Sequence, residues 1–194
     1  MSPLVQKALA AAGLSEIARA RLAGEPLPKG SRERLEKADL LALGALADAV
    51  RARVAGDLVR ISIRDGKAPY EVAWIASGDT SSEGAGLGLL RKVAVERVLS
   101  PDGVRVGVSY TEIGIELAQV ALGFGASELR GVLANKRGLP IADDATKRVK
   151  GQGQVSAQLL QRKELSEVLA YVGRRAVFAE GDAPAEISGG ETHA

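Results

Sequence analysis

Few residues in this chain are equipped for chemistry. It has no cysteine, and its one histidine is His193, next to the last residue. Without Cys there is no disulfide, thiolate zinc site, cysteine-ligated iron–sulfur cluster or thiol nucleophile. A single His gives neither a histidine metal cage nor a His-centred triad. Carboxylates, hydroxyls and arginines remain. Asp143-Asp144 and Glu112/Glu116 are the tight acidic pairs. Adjacent aspartates do not easily chelate one ion. Glu112 and Glu116, four apart on a helix, place like charges on one face, which reads as solvent-facing. The run Lys147-Arg148-Val149-Lys150 reads as a solvated loop.

One glycine-rich stretch stands where a phosphate could bind. Ser77–Gly88 follows an expected strand and precedes an expected helix, whose first backbone N–H groups favour an anion. It lacks the Gly-Lys-Ser/Thr ending of a P-loop. Its Gly84-Ala85-Gly86-Leu87-Gly88 also has the wrong spacing for a dinucleotide fingerprint. A plain loop is the simpler reading, with an anion site as its alternative.

The elements that must position these residues read as follows. Pro3 to Leu22 is an Ala-rich helix stopped by Gly24-Glu25-Pro26. A longer helix runs from Ser31, as N-cap, to about Ala55, with Leu43, Leu46, Val50 and Val54 on one stripe. Alternation over 57–64 and 70–76 predicts two strands. Asp65-Gly66 between them is a hairpin signal, although Pro69 argues for a longer connection. Val72, Trp74 and Ala76 fall on one face, as do Val104, Val106, Val108 and Tyr110, so Trp74 and Tyr110 are expected in the core. A helix from about Gly86 to Leu99 and another capped by Thr111 flank the strand 104–110. Short strands at 129–133 and 176–179 and a helix over 158–172 complete the pattern. Residues 135–154 read as a surface loop, and 181–194 have the composition of a disordered tail.

Strands alternating with helices define an α/β class with parallel strands. The length accommodates four or five strands, where a complete eight-fold barrel takes about 250 residues. The expectation is a single domain over 1–180: a partial (β/α) barrel-like sheet covered by an N-terminal helical segment, 1–56.

Composition narrows the partners. The 194 residues are 46% apolar, 26% charged and 3% aromatic, so the core is aliphatic. Twenty-six Lys and Arg against 24 Asp and Glu give a net charge of +2. With signs interspersed and aromatics scarce, nucleic acid is not an expected partner. No stretch approaches the roughly 20 apolar residues of a membrane span, and residues 1–7 do not resemble a signal peptide. The expected setting is cytoplasmic, without a membrane partner.

Three stretches together resemble a known family. Asp39–Arg51 (DLLALGALADAVR), followed by Gly56-Asp57 and a strand, is similar to the N-terminal helix of radical-SAM enzymes related to aminofutalosine synthase. That group includes dehypoxanthine futalosine cyclase and deazaflavin cofactor synthase. Gly86–Val98 (GLGLLRKVAVERV) resembles the helix before one of their last barrel strands. Leu117–Gly131 (LAQVALGFGASELRG) is the most specific match, similar to their helix, Phe-Gly-Ala, strand segment near the C-terminus. Gln161–Leu165 and Val172–Val177 resemble the closing helix and strand. The matches cover residues 30–64 and 70–180 but only the two ends of the family's chain, as if joined near Asp65–Ala68.

The resemblance implies ancestry and a fold fragment. The absent middle is the part that carries the cluster-binding C-x-x-x-C-x-x-C loop, so radical-SAM activity is not expected. No cofactor and no catalytic residue carries over. Strands cut from a barrel leave open edges and an uncovered inner face, which the N-terminal helices or a second chain must close. Two functions follow: a non-catalytic accessory subunit of the menaquinone (futalosine) pathway, or a small-molecule binding module keeping part of an ancestral pocket. As a subunit it would act as a homo-oligomer or on a full-length radical-SAM homologue. As a binding module its polar wall would be Ser77, Asp79, Thr80, Ser109, Tyr110, Thr111 and Glu112, at the C-terminal ends of the strands. New acid–base chemistry at Glu112, Asp79 or Tyr110 is a third reading.

Overall fold

A computed structural model describes residues 1–62, 70–78, 84–133 and 160–179. Asp79, Thr80, the acidic pair Asp143-Asp144, the basic run 147–150 and the tail 181–194 lie outside the described residues.

The N-terminal third is helical, but each expected helix is two. Pro3–Ala11 (α1) and Ser15–Ala23 (α2) are separated at Gly13, whose φ of +69° a β-carbon would strain. Ser31–Lys37 (α3) and Leu40–Ala55 (α4) are separated because Asp39 leaves the helix to cap α4, its Oδ1 accepting from the Ala42 N–H at 2.9 Å. Ser31 is the first residue of α3 and not its N-cap, and its hydroxyl donates to the Pro28 carbonyl.

The strands are Leu58–Ser62 (β1), Glu71–Ile75 (β2), Val104–Ser109 (β3), Glu128–Arg130 (β4) and Arg175–Phe178 (β5). They form one all-parallel sheet in the order β2-β3-β4-β1-β5. The first two strands, for which the sequence left a hairpin open, do not pair: β1 and β2 run parallel with β3 and β4 between them, and Asp65-Gly66 lies outside the described residues. Helices Ala85–Leu99 (α5), Ile115–Gly123 (α7) and Arg162–Tyr171 (α8) follow β2, β3 and β4 as crossovers, which parallel neighbours require. A single turn, Tyr110–Ile113 (α6), precedes α7. Between the two, Gly114 at φ +82° turns the chain.

One face of the sheet is apolar. Val59, Ile61, Val106, Val108 and Leu129 are buried there against Leu89, Leu90 and Val93 of α5, Ala118, Ala121 and Leu122 of α7, and Leu165 and Leu169 of α8. A second core lies farther out, where Leu43, Leu46 and Val50 of α4 meet Leu9, Leu14, Ile17 and Leu35 and the outer side of α5 (Ala94, Val95, Val98). Phe124 joins the two cores, its ring filling the space that a side chain at Gly44 would need. The N-terminal segment therefore covers the sheet as an outer layer behind α5 and α7. It does not close the sheet's opposite face.

That opposite face is set by register. Arg60 pairs with Glu128, Glu128 with Gly107 and Gly107 with Trp74, so these four residues form one row across β1, β4, β3 and β2. Ser62, Arg130 and Ser109 form the next row towards the C-terminal ends. Leu58 and Val177 are exposed on the same face at the β1–β5 side. Trp74 lies here and not in the apolar core, because pairing with Gly107 turns it to the side of Glu128.

Candidate functional site

The polar face carries two connected clusters. The first surrounds Glu128, which is 2% exposed. The Tyr70 hydroxyl donates to its Oε1 at 3.0 Å, and its Oε2 is buried without a hydrogen-bond partner. Arg105 and Arg60 lie 5.2 and 5.9 Å from the centre of the Tyr70 ring, close enough for cation–π attraction. Both arginines are held from elsewhere: Arg105 donates to the Val54 carbonyl at the end of α4, and Arg60 to Ser62 Oγ at 3.3 Å. Gly107 leaves room for the Trp74 indole over the sheet, beside Glu128.

Burial dominates the electrostatics. It pushes the Glu128 carboxyl up to about 7, against the Tyr70 hydrogen bond and the pull of Arg60 and Arg105. Burial, together with the negative charge of Glu128, pushes the Tyr70 phenol up to about 12. Near neutral pH Glu128 therefore exchanges between an acceptor carboxylate and a carboxyl that can also donate.

The second cluster sits at the C-terminal ends of β1, β3 and β4. Arg130 stacks over Trp74 at 4.9 Å from the ring centre, and its Nη2 donates to Glu112 Oε1 at 3.4 Å. Ser77 donates to Glu112 Oε2 at 3.3 Å, and Ser109 and Thr111 share a hydrogen bond of 3.0 Å. Ser62 and Ser109 are buried and Arg130 is half-exposed. Three of the five strand ends thus meet in a patch of hydroxyls around one guanidinium, chemistry suited to holding an oxyanion.

Four of the sequence-derived wall residues come together here: Ser77, Ser109, Thr111 and Glu112. Thr111 sits inside α6 rather than capping a helix, which frees its hydroxyl for Ser109. Tyr110 separates from them: its ring packs in the core against Gly131, its hydroxyl donates to the Val132 carbonyl at 3.1 Å, and burial pushes its phenol up. Sequence reasoning missed Tyr70, Glu128, Arg60, Arg105 and Arg130. Arg60 and Arg105 did alternate with apolar residues, a signal that placed them opposite the core. Nothing local marked Glu128, whose burial comes from its neighbours on other strands.

A cleft of about 370 Å³ opens elsewhere, between the start of β5 and the end of α8, lined by Asp57, Ser166, Arg174 and Arg175. Among the described residues no group of three His, Cys, Asp or Glu is placed to hold a metal ion, and no helix is long and apolar enough to cross a membrane. Compared with known proteins, the chain matches no family model, no curated protein and no solved structure.

Proposed function

We propose that this chain is a non-catalytic binding module, derived from a barrel of the radical-SAM futalosine-pathway group it resembles, that takes a small molecule on its polar sheet face. The observation that carries the reading is the row Ser62–Arg130–Ser109 with Ser77, Thr111 and Glu112 beside it. Ligands of parallel β/α sheets bind at the C-terminal ends of the strands. The lack of cysteine supports a role without radical chemistry.

Trp74 is the one tryptophan in the chain and contacts Arg130, so its fluorescence reports on this face. Purified protein would be incubated with small molecules extracted from its native cells, and retained compounds identified by mass spectrometry and titrated. The expected result is a compound that changes Trp74 emission in the native protein and not in Arg130→Ala. If no compound is retained and emission stays constant, the module reading fails.

A second reading, an accessory subunit acting through protein contact, is favoured by Leu58 and Val177, apolar, exposed and diagonal to one another across β1 and β5 on this face. It requires a stable homo-oligomer, or a complex with a full-length radical-SAM homologue, burying at least about 1,000 Å². A monomer at all concentrations that captures no such homologue from native extract rules it out.

A further inference from the structure

Glu112 joins two donors at the C-terminal end of the sheet and holds both loosely. Its Oε1 accepts from Arg130 Nη2 at 3.4 Å, and its Oε2 from the Ser77 hydroxyl at 3.3 Å. Bonds to a carboxylate usually close to about 2.7–2.9 Å from a charged N–H and about 2.5–2.7 Å from a hydroxyl. Other shared carboxylates in this chain are gripped much more tightly. Asp102 takes Arg21 and Arg53 at 2.6 and 2.7 Å, and Asp48 takes Arg51 and Arg174 at 2.8 and 2.9 Å.

The difference lies in what fixes the partners. Arg21 and Arg51 are buried and also donate to backbone carbonyls, so their carboxylates are locked in place. Glu112 and Arg130 are 44% and 43% exposed in their side chains. Arg130 is held by stacking over Trp74, an attraction that does not depend on Glu112. Rotation of the Glu112 side chain into water therefore leaves the Arg130 guanidinium and the Ser77 hydroxyl facing one open, solvent-accessible place. Lys92 brings a second cation beside Gly78, the residue after Ser77, its Nζ 3.8 Å from where a β-carbon on that glycine would stand. Glu116, the other carboxylate of this end, turns towards Gly114 at the start of α7.

We propose, resting on the reading of this face as a small-molecule site, that the ligand is anchored by a phosphate monoester and that Glu112 stands in for that group until the ligand displaces it. A free carboxylate offers Arg130 and Ser77 only what Glu112 already offers from a short tether. A phosphate monoester brings close to two negative charges and three terminal oxygens. Two of those oxygens replace the pair on Glu112. The third is left for the partly exposed Thr111, whose hydroxyl is paired with Ser109, the cross-strand neighbour of Arg130. In that pair only one of the two hydroxyl protons is used, so the other remains to be donated.

Methyl phosphate, inorganic phosphate and acetate would be titrated at constant ionic strength, above the second phosphate pKa, while Trp74 emission is recorded. Both phosphates are expected to change the emission saturably, and acetate is not. Glu112→Gln keeps the shape and removes the charge that the ligand must displace. It is expected to bind methyl phosphate about fivefold more tightly, the worth of an exposed ion pair. Arg130→Ala, read by phosphorus NMR line width because the Trp74 contact goes with the side chain, is expected to abolish binding. No response to methyl phosphate in either the native chain or Glu112→Gln would overturn the assignment, as would undiminished binding to Arg130→Ala. Equal affinities in native and Glu112→Gln protein would show that Glu112 does not stand in the ligand's place. A compound retained from native cells that needs Arg130 but carries no phosphate would overturn the phosphate anchor and leave the small-molecule reading intact.

Discussion

The Trp74 indole occupies the space that a side chain at position 107 would need: a Cβ built on Gly107 falls 2.6 Å from Trp74 Cε3 and 2.9 Å from Glu128 Cβ. A central strand thereby gives up a side chain so that an aromatic ring from the edge strand can lie across it. Gly107→Ala must displace the ring or spread β3 from β4. The expected cost is about 1–3 kcal/mol, the usual range for overpacking. Urea unfolding followed through Trp74 emission checks it, and the folded-state spectrum should shift as the ring leaves Arg130. An unchanged midpoint and spectrum would show that the ring does not lie there.

Glu128 makes stability depend on pH in a direction opposite to that of an ion-paired carboxylate. Its folded-state value is raised from 4.5 to about 7, so the folded chain holds a proton that the unfolded chain has released over that interval. Stability is therefore fully present below about 4.5, falls as pH rises through about 7, and is level beyond. The size is on the order of 3 kcal/mol. Other carboxylates titrate in the same range, so the informative quantity is the difference between native protein and Glu128→Gln. That difference should favour the variant progressively from pH 5 to 7.5. A difference independent of pH would place Glu128 in water.

The strand β3 was legible because its two faces differ in kind: Val104, Val106 and Val108 against Arg105, Gly107 and Ser109. In β2 both alternating sets are apolar, Val72 and Trp74 on one side, Ala73 and Ile75 on the other, so composition could not choose which faces the core. Pairing with Gly107 made the choice. Helix breaks at Gly13 and Asp39 were hidden for a similar reason, since the apolar spacing continues across both. The hydroxyl wall at Ser77, Ser109, Thr111 and Glu112 followed from where parallel strands end. Glu128 did not, because a carboxylate opening a three-residue strand looks like a turn residue until Arg60, Gly107 and Tyr70 are set around it.

Asp39 decides where α4 begins. Its side chain holds the Ala42 N–H at 2.9 Å, and the chain bends there between α3 and α4. Asp39→Ala should cost about 1 kcal/mol, as loss of an N-cap usually does, while Asp39→Ser should retain most of the stability. Thermal unfolding of the two variants distinguishes a cap from a surface charge. Equal losses in both would mean that the carboxylate, and not the cap geometry, matters.

Asp48 joins the helical layer to the last strand. It accepts from Arg51 Nε at 2.8 Å on its own helix and from Arg174 Nη2 at 2.9 Å, just before β5. Arg51 is nearly fully buried and also donates to the Gly56 carbonyl, so it cannot move out to water if its partner is lost. Asp48→Asn keeps an acceptor for one arginine but removes the charge that both share. The loss should be about 1–3 kcal/mol, between an exposed pair and a fully buried one because Asp48 itself is partly exposed. Asp48→Asn should also loosen Arg174, and with it the pairing of β5 to β1. Hydrogen exchange at Val59 and Ile61, which are buried in the core next to β5, should then quicken more than at Val106 and Val108. Uniform acceleration across all four would mean that the pair contributes only to global stability and does not fasten the edge strand.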